Sequence, residues 1–505
     1  MKSDDIATTP AVDFAAELAD HLAGYGPRPF IEYERRWYSG DDVLAQIDTV
    51  TGILTDAGIA PQASVGLVAR NRLPHAAATL GLIAAGRPIA MIYSYQSAQS
   101  IARDIETLAP AAVIADREDW TDSTLDAARR TGCAAISLSV HPPSAELLLE
   151  PTPERVQIAR TSQDAAGLHI LSSGTTGPPK RSPLRTDVLS HTVTTMTMGL
   201  SGCYDDPPEL VYWPFGSVGV CQLLAAPFLD KRMVLLEKFT VEDWVRAVKT
   251  YRIRRAGVQP ALLRMLLEAD VPKEDLASIE YLPGGSGPLE PELRTAFEEK
   301  YDIPLLWAYG ATEFAGSVCA WTPDDHRRFG VEKPRSVGRP LPGVHVRIVD
   351  ADTGREVAAG KQGLLEGKVD VIGPDWIRTT DLASVDTDGF VYLHGRGDGA
   401  INRGGFKILP EVVRSALMLH PAVLDASVVG VDDARLGQVP FAAVELRRGA
   451  TTPSEEELKS VVREQLPSHH VPVSIRVLPA LPRNAAWKVT IAEVTALYRS
   501  RPATR

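Results

Sequence analysis

The chain has 505 residues, of which 44% are apolar and 23% charged. This balance excludes a disordered or fibrous protein, and the length leaves room for about three units of ~150 residues. A formal net charge of -11 excludes a global basic field of the kind that binds nucleic acid or anionic lipid, while allowing a local phosphate pocket.

Cys133, Cys203, Cys221 and Cys319 are too few for a disulfide framework and lack the close spacing of metal ligands, which points to a reducing compartment. The opening Met1-Lys2-Ser3-Asp4-Asp5 has no basic stretch followed by an apolar run, so no signal peptide is expected and the protein is read as cytoplasmic. Taken in chain order, Asp41 to Asp56 carries Val43, Leu44, Ile47, Val50 and Leu54 at helical spacing. Ser64 to Ala69 is an apolar run of strand length. Pro74 to Ala85 is a small-residue helix stopped by Gly86, and Pro88 to Tyr93 and Ala111 to Ala115 read as further strands. Strand, helix and strand at this spacing predict an α/β fold with a parallel sheet covered on both faces. The alternation resumes from Leu168 to Leu306. Within it, the uncharged run Leu210 to Leu229 is long enough to span a bilayer. It is broken by Pro214, Gly216, Ser217, Gly219, Gln222 and Pro227, so it reads as a loop and a buried segment, with no membrane span.

From about Pro340 to Leu393 short alternating strands predict a β-rich subdomain. The glycines of Gly395-Arg396-Gly397-Asp398-Gly399 and Gly404-Gly405 mark a hinge, which divides the chain into 1–397 and a small α+β domain over 398–505. In that domain Ser427 to Val431 and Phe441 to Leu446 read as strands. Ser454 with Glu457 forms a capping box ahead of a helix that Pro467 stops.

One loop carries chemistry by its composition. Strand Leu168 to Leu171 feeds Ser172-Ser173-Gly174-Thr175-Thr176-Gly177-Pro178-Pro179-Lys180. Glycines let backbone N–H groups approach phosphate oxygens, hydroxyls add neutral donors, and Lys180 adds a mobile cation. It is not a Walker A loop, since no Gly precedes the Lys and no Ser or Thr follows it. On composition alone a surface turn fits equally well.

With the segments that follow in order, this loop resembles the phosphate loop of the adenylate-forming superfamily: acyl-CoA synthetases, peptide-synthetase adenylation domains and luciferases. Tyr309-Gly310-Ala311-Thr312-Glu313 resembles the family's Tyr-Gly-x-Thr-Glu motif. The resemblance implies that Tyr309 stacks on adenine, Thr312 binds the α-phosphate and Glu313 holds Mg²⁺. These types suit a π face, an oxyanion donor and a hard oxygen ligand. Gly285-Ser286-Gly287 resembles the small-residue segment beside the adenine. Thr380-Asp381 resembles Thr-Gly-Asp without its Gly, which assigns the ribose hydroxyls to Asp381. Arg396 would reach ribose or phosphate, and Asp398 would be the pivot. Glu411 sits one place early against the family's Pro-x-Glu. Pro482-Arg483-Asn484-Ala485-Ala486-Trp487-Lys488 resembles Pro-Arg-x-x-x-Gly-Lys, with Trp487 in place of Gly and Lys488 as the lysine that bridges the substrate carboxylate and the α-phosphate.

The resemblance thus implies a large N-terminal domain of two βα-layered sheets plus a β-rich subdomain, with a mobile C-terminal lid. It implies ATP and Mg²⁺, a carboxylic acid activated as its adenylate, and transfer to a thiol, with CoA as the acceptor. Phe215, Ser217, Gln259, Gly285 and Gly310 are the expected pocket residues. The alternatives are a stand-alone enzyme that loads a separate carrier protein, activation of another oxyacid such as nitrite for diazotisation of an aryl amine, and a non-catalytic nucleotide-binding relative. Retention of Lys180, Glu313 and Lys488 together argues against the last. The Ala- and Arg-rich composition points to a GC-rich bacterial genome.

Overall fold

The computed structural model describes residues 13–94, 96–157, 167–172, 180–197, 201–215, 219–397, 399–403, 406–433, 435–484 and 487–499. Two compact units emerge, one of Met1–Ser173 with Pro179–Ala256, the other of Gly174–Pro178 with Gly257–Arg505.

The first unit is organised by a seven-stranded sheet. Strands Ala134–Val140, Ala112–Asp116, Val65–Ala69, Ile89–Tyr93 and Gly167–Ser172 lie side by side and parallel. Pro143–Leu149 and Lys180–Arg185 close its edges in antiparallel fashion. Every residue of Val65–Ala69 and Ala112–Asp116 is buried, as expected of strands covered on both faces. Helix Gly40–Asp56 matches the reading from periodicity, and helix Leu73–Ala84 is almost wholly buried.

Strand Gly167–Ser172, where the alternation resumes, joins the first sheet beside Ile89–Tyr93. Sequence spacing reports that a strand exists, whereas its sheet is decided by long-range pairing. A smaller sheet places Glu209–Val211, Met233–Leu235 and Pro29–Tyr33 parallel, with Arg36–Ser39 antiparallel at the edge. The uncharged run becomes the end of one strand and the buried helix Gly219–Phe228. Among the described residues no helix is long and apolar enough to cross a membrane.

In the second unit Leu282–Gly284, Leu305–Ala311, Gly316–Ala320 and Arg339–Pro340 form one sheet. The expected β-rich segment is a four-stranded antiparallel sheet of Val344–Val349, Gly363–Val369, Ile377–Val385 and Val391–Arg396. The C-terminal α+β segment is built on a sheet ordered Phe406–Ile408, Ile401–Arg403, Gly437–Leu446 and Val423–Asp433, with Ser474–Leu478 parallel to Gly437–Leu446.

That last sheet has a core on each face. Val428, Ala442 and Val444 pack with Val413, Leu417, Leu458 and Val462, while Val429, Val431, Phe441 and Ala443 pack with Leu481 and Val494. The period-2 geometry of a strand sends adjacent residues to opposite cores. The capping box expected at Ser454 is only half formed. The Ser454 hydroxyl accepts from the Glu457 N–H at 3.1 Å, but the Glu457 carboxylate sits 3.4 Å from His420 Nε2, and a carboxylate turned to an imidazole does not return to the cap backbone.

Candidate functional site

Three of the predicted segments meet through backbone pairing in the second unit. Leu282–Gly284 runs parallel to Leu305–Ala311, with Gly284 opposite Trp307. A Cβ at Gly284 would lie 2.1 Å from Trp307 Cζ3, so only hydrogen fits there. The indole then reaches over the following turn, where Trp307 Nε1 donates to the Gly287 carbonyl at 2.9 Å. The Val258 N–H donates to the Pro283 carbonyl at 2.8 Å and the Gly285 N–H donates to the Val258 carbonyl at 3.3 Å. This ladder sets the buried Gln259, at the head of helix Pro260–Glu268, next to the start of Gly285-Ser286-Gly287. Ser286 itself adopts the left-handed backbone (φ 66), a conformation that turns the chain sharply. On the other side Gly310 pairs with Ser317, and a Cβ on Gly310 would lie 2.2 Å from the Gly316 carbonyl oxygen.

Tyr309, two residues beyond Trp307, is buried. Its hydroxyl donates to Asp381 Oδ2 at 2.5 Å. Burial, and then the Asp381 carboxylate, push the phenol well above its ordinary pKa, so it remains a donor at any physiological pH. Asp381 pairs across the antiparallel sheet with Arg396. Thr380 stands between Thr379 and Asp381 and has no positive φ, so its backbone is not in the left-handed region that favours Gly. Its hydroxyl accepts from Arg396 Nη2 at 2.8 Å, and its carbonyl accepts from the Gly397 N–H at 2.7 Å. Thr379 Oγ1 accepts from the Asp381 N–H at 3.1 Å. Tyr309, Asp381 and Arg396 therefore form one polar patch supported by threonine hydroxyls. Thr312 and Glu313 follow directly in the single tight turn Thr312–Phe314, where Glu313 is exposed.

Lys488 ends a small hairpin. Arg483 and Val489 form an isolated bridge, the Asn484 N–H donates to the Lys488 carbonyl at 2.8 Å, and the Asn484 side chain accepts from the Lys488 N–H at 3.0 Å. Trp487, in the family's Gly place, has φ 58, a left-handed conformation that a residue with a side chain adopts at some cost. Lys488 is half-buried, and that burial lowers its pKa. Among the described residues no hydrogen bond or ion pair joins its ammonium to a carboxylate, nor to Tyr309, Asp381 or Arg396. A desolvated cation without a counter-ion favours the arrival of an anion.

Ser172 and Lys180 are register partners in the antiparallel pair of Gly167–Ser172 and Lys180–Arg185, which pins both ends of the hydroxyl-rich loop. The loop itself, Ser173 with Gly174, Thr175, Thr176 and Gly177, lies outside the described residues, as do Ser217 and Asp398. In the first unit Phe215 is buried and held by a residue that motif spacing did not reveal. Asn71 Oδ1 accepts from the Phe215 N–H at 3.1 Å while Asn71 Nδ2 donates to the Trp213 carbonyl at 2.8 Å. Gln222 Oε1 accepts from the Tyr212 and Trp213 N–H groups at 3.2 and 3.0 Å. The one signal in the sequence was a polar amide set two residues after a buried strand.

Glu313 is the expected Mg²⁺ ligand. Among the described residues no cluster of three or more His, Cys, Asp or Glu could hold a metal ion. A single exposed carboxylate does fit an ion that arrives with nucleotide phosphates as its other ligands, the usual habit of Mg²⁺.

Residues 18–372 match the AMP-binding enzyme family, and residues 413–488 match the AMP-binding enzyme C-terminal domain. A 2-succinylbenzoate–CoA ligase of Bacillus cereus is 30% identical over 374 residues, 70% of this chain and 74% of that protein. The 4-coumarate–CoA ligase-like 9 of Oryza sativa subsp. japonica is 29% identical over 63% of this chain, and the match spans only 61% of its own length. Among solved structures, ATP-bound MatB from Rhodopseudomonas palustris superposes with a TM-score of 0.81 at 23% identity, covering 97% of this chain and 99% of that one. The amide bond synthetase McbA from Marinactinospora thermotolerans gives 0.78 at 25% identity, covering 97% and 100%. With the family matched along most of the chain, the chain belongs to the AMP-binding enzymes of the adenylate-forming superfamily.

Proposed function

We propose that the protein is an ATP-dependent, AMP-forming acid–thiol ligase. The carboxylate oxygen of a small organic acid attacks the α-phosphorus of ATP, the bond to the bridging oxygen breaks, and pyrophosphate leaves. The thiol of CoA then attacks the acyl carbon of the adenylate, AMP leaves, and the thiol proton passes to solvent. The observation that supports this reading best is the hydrogen-bonded patch of Tyr309, Asp381, Thr380 and Arg396, which joins family motifs far apart in the chain. The names of the cited relatives supply CoA as the acceptor; none names a carrier protein.

In the first step both reactants are anions, so the barrier includes their repulsion. Preorganised cations and donors offset it, and the loss of one such donor typically costs ~10²–10³ in rate. We assign the phosphates to Ser172–Gly177 with Lys180, the α-phosphate to Thr312, and the ribose hydroxyls to Asp381 with Arg396. Tyr309, Gly310 and Gly285–Gly287 receive the adenine. Lys488 bridges the acid carboxylate and the α-phosphate. Glu313 would hold Mg²⁺ together with the nucleotide, and the ion would supply charge neutralisation for the leaving pyrophosphate. Selection of the acid is assigned to Phe215, Ser217 and Gln259. In the second step Lys488 must leave the reacting centre, and rotation of residues 398–505 about Asp398 relative to 1–397 achieves this as a hinge closure. The same proposal puts the enzyme in the cytoplasm.

The test is pyrophosphate release from ATP across a panel of acids headed by 2-succinylbenzoate and 4-coumarate, with and without CoA. The expected result is acid-dependent release that becomes multiple-turnover with CoA. No ATP turnover with any acid overturns the proposal.

A further inference from the structure

Helix Pro260–Glu268 carries Arg264, and Glu290 stands at the N-terminal boundary of helix Pro291–Tyr301. Both side chains are buried, and Arg264 Nη2 lies 2.7 Å from Glu290 Oε2. On the C-terminal segment Asp425 is 2% exposed. It accepts from Arg414 Nη2 at 2.7 Å through Oδ1 and from Arg483 through Oδ2. Arg414 also pairs with Glu411 at 2.8 Å. Two contacts join these sets: Arg264 Nη1 lies 3.4 Å from Asp425 Oδ2, and Arg414 pairs with Glu290.

The pairing has an unusual balance. Removing one member of a buried ion pair strands its partner and is strongly unfavourable. Separating these two sets strands nothing. Arg264 keeps Glu290, while Asp425 keeps Arg414 and Arg483. The joint can thus open with every charge still paired, which is what a two-state contact requires. Burial alone would raise the Asp425 pKa, but Arg414, Arg264 and Arg483 hold its carboxyl well below the usual range, so the set stays charged at neutral pH.

Arg483 connects the joint to the chemistry. Besides Asp425, its guanidinium donates to the Trp487 carbonyl at 3.3 Å, and its backbone bridges Val489 in the hairpin that ends in Lys488. What holds Arg483 therefore holds that hairpin. We propose that Arg264, Glu290, Arg414 and Asp425 form a separable ionic latch that positions the Lys488 hairpin for adenylate formation and opens for thiol transfer. These four are positioning residues, and the assignment of the two steps rests on the ligase reading above.

The test measures the two half-reactions separately in Glu290→Gln and Arg264→Gln, with Arg264→Lys as the conservative control. Acid-dependent ATP–pyrophosphate exchange reports the first step, and conversion of an added acyl adenylate by CoA reports the second. Exchange is expected to fall about tenfold in the first two variants, while transfer is unchanged or faster and Arg264→Lys recovers part of the loss. Tryptic cleavage after Arg396 and Arg403, measured well below the Tm of each variant, is expected to accelerate several-fold, a readout that needs no activity. Equal losses in both half-reactions, or unchanged exchange together with unchanged cleavage, overturn the latch. Absence of exchange in the unsubstituted enzyme with every acid would instead overturn the ligase reading, and the cleavage rates would still decide the latch.

Discussion

The hydroxyl of Tyr309 donates to the carboxylate of Asp381 across 2.5 Å, although the two residues stand 72 apart in the chain. The bond fixes the direction in which the Asp381 carboxylate points. Hydrogen bonds to charged groups contribute about 1.5–3 kcal/mol. Tyr309→Phe keeps the ring and removes the donor. The expected result is a KM for ATP raised roughly tenfold with a smaller change in kcat, measured by steady-state pyrophosphate release. An unchanged KM would separate this bond from nucleotide binding.

Lys488→Ala is expected to abolish adenylate formation, a loss of at least ~10²-fold, while sparing transfer from a preformed adenylate. Equal loss in both steps would remove Lys488 from the bridging role. The pH dependence follows from burial, which lowers the Lys488 pKa below its unfolded value. Below the folded pKa the lysine is charged in both states, and the cost of desolvating the ammonium is fully present. As pH rises from the folded pKa towards the unfolded one, the native state releases its proton first and that cost is relieved. Adenylate formation in the unsubstituted enzyme should therefore decline on the alkaline side below pH 10.5, the ordinary lysine value, while the contribution of Lys488 to stability becomes less unfavourable over the same window. A first-step rate that stays flat to pH 10.5 would contradict the assignment.

Gly284→Ala would place a methyl group where a ring carbon of Trp307 already stands, 2.1 Å away. Overpacking of this kind costs about 1–3 kcal/mol. The indole that bonds to the Gly287 carbonyl would have to shift, so the KM for ATP should rise as the denaturation midpoint falls. A midpoint equal to that of the unsubstituted protein would mean that the strand pair can spread without loss.

Trp487 occupies a left-handed position, φ 58. There Gly has no Cβ penalty and Ala has the full one, so Trp487→Gly is expected to be more stable than Trp487→Ala by about 1 kcal/mol. Chemical denaturation of the two variants decides it. The reverse order would show that the hairpin relaxes to another backbone conformation when the indole is removed.

Asn71→Ala would leave the Phe215 N–H and the Trp213 carbonyl without their buried partner, at a cost of about 1–3 kcal/mol. Because the segment that loosens carries Phe215, the KM for the acid should rise several-fold with little change in the KM for ATP. A rise confined to ATP would remove Phe215 from acid selection.

Much of the local architecture was legible in the residues alone. Val428 and Val429 declare their opposite faces by the period of a strand, Pro467 stops a helix by lacking an N–H and crowding the preceding residue, and Tyr309 to Glu313 is a contiguous string whose spacing carries its own resemblance. These are short-range effects of dihedral preference and side-chain periodicity. Tertiary structure alone decided that strand Gly167–Ser172 belongs to the first sheet, that Tyr309 finds Asp381, that Asn71 holds Phe215 144 residues away, and that Arg264 meets Asp425 161 residues away. Each depends on strand register and on the burial of a polar group with its partner. A buried donor or charge must be satisfied somewhere, but which distant residue satisfies it is fixed only when the chain has closed on itself.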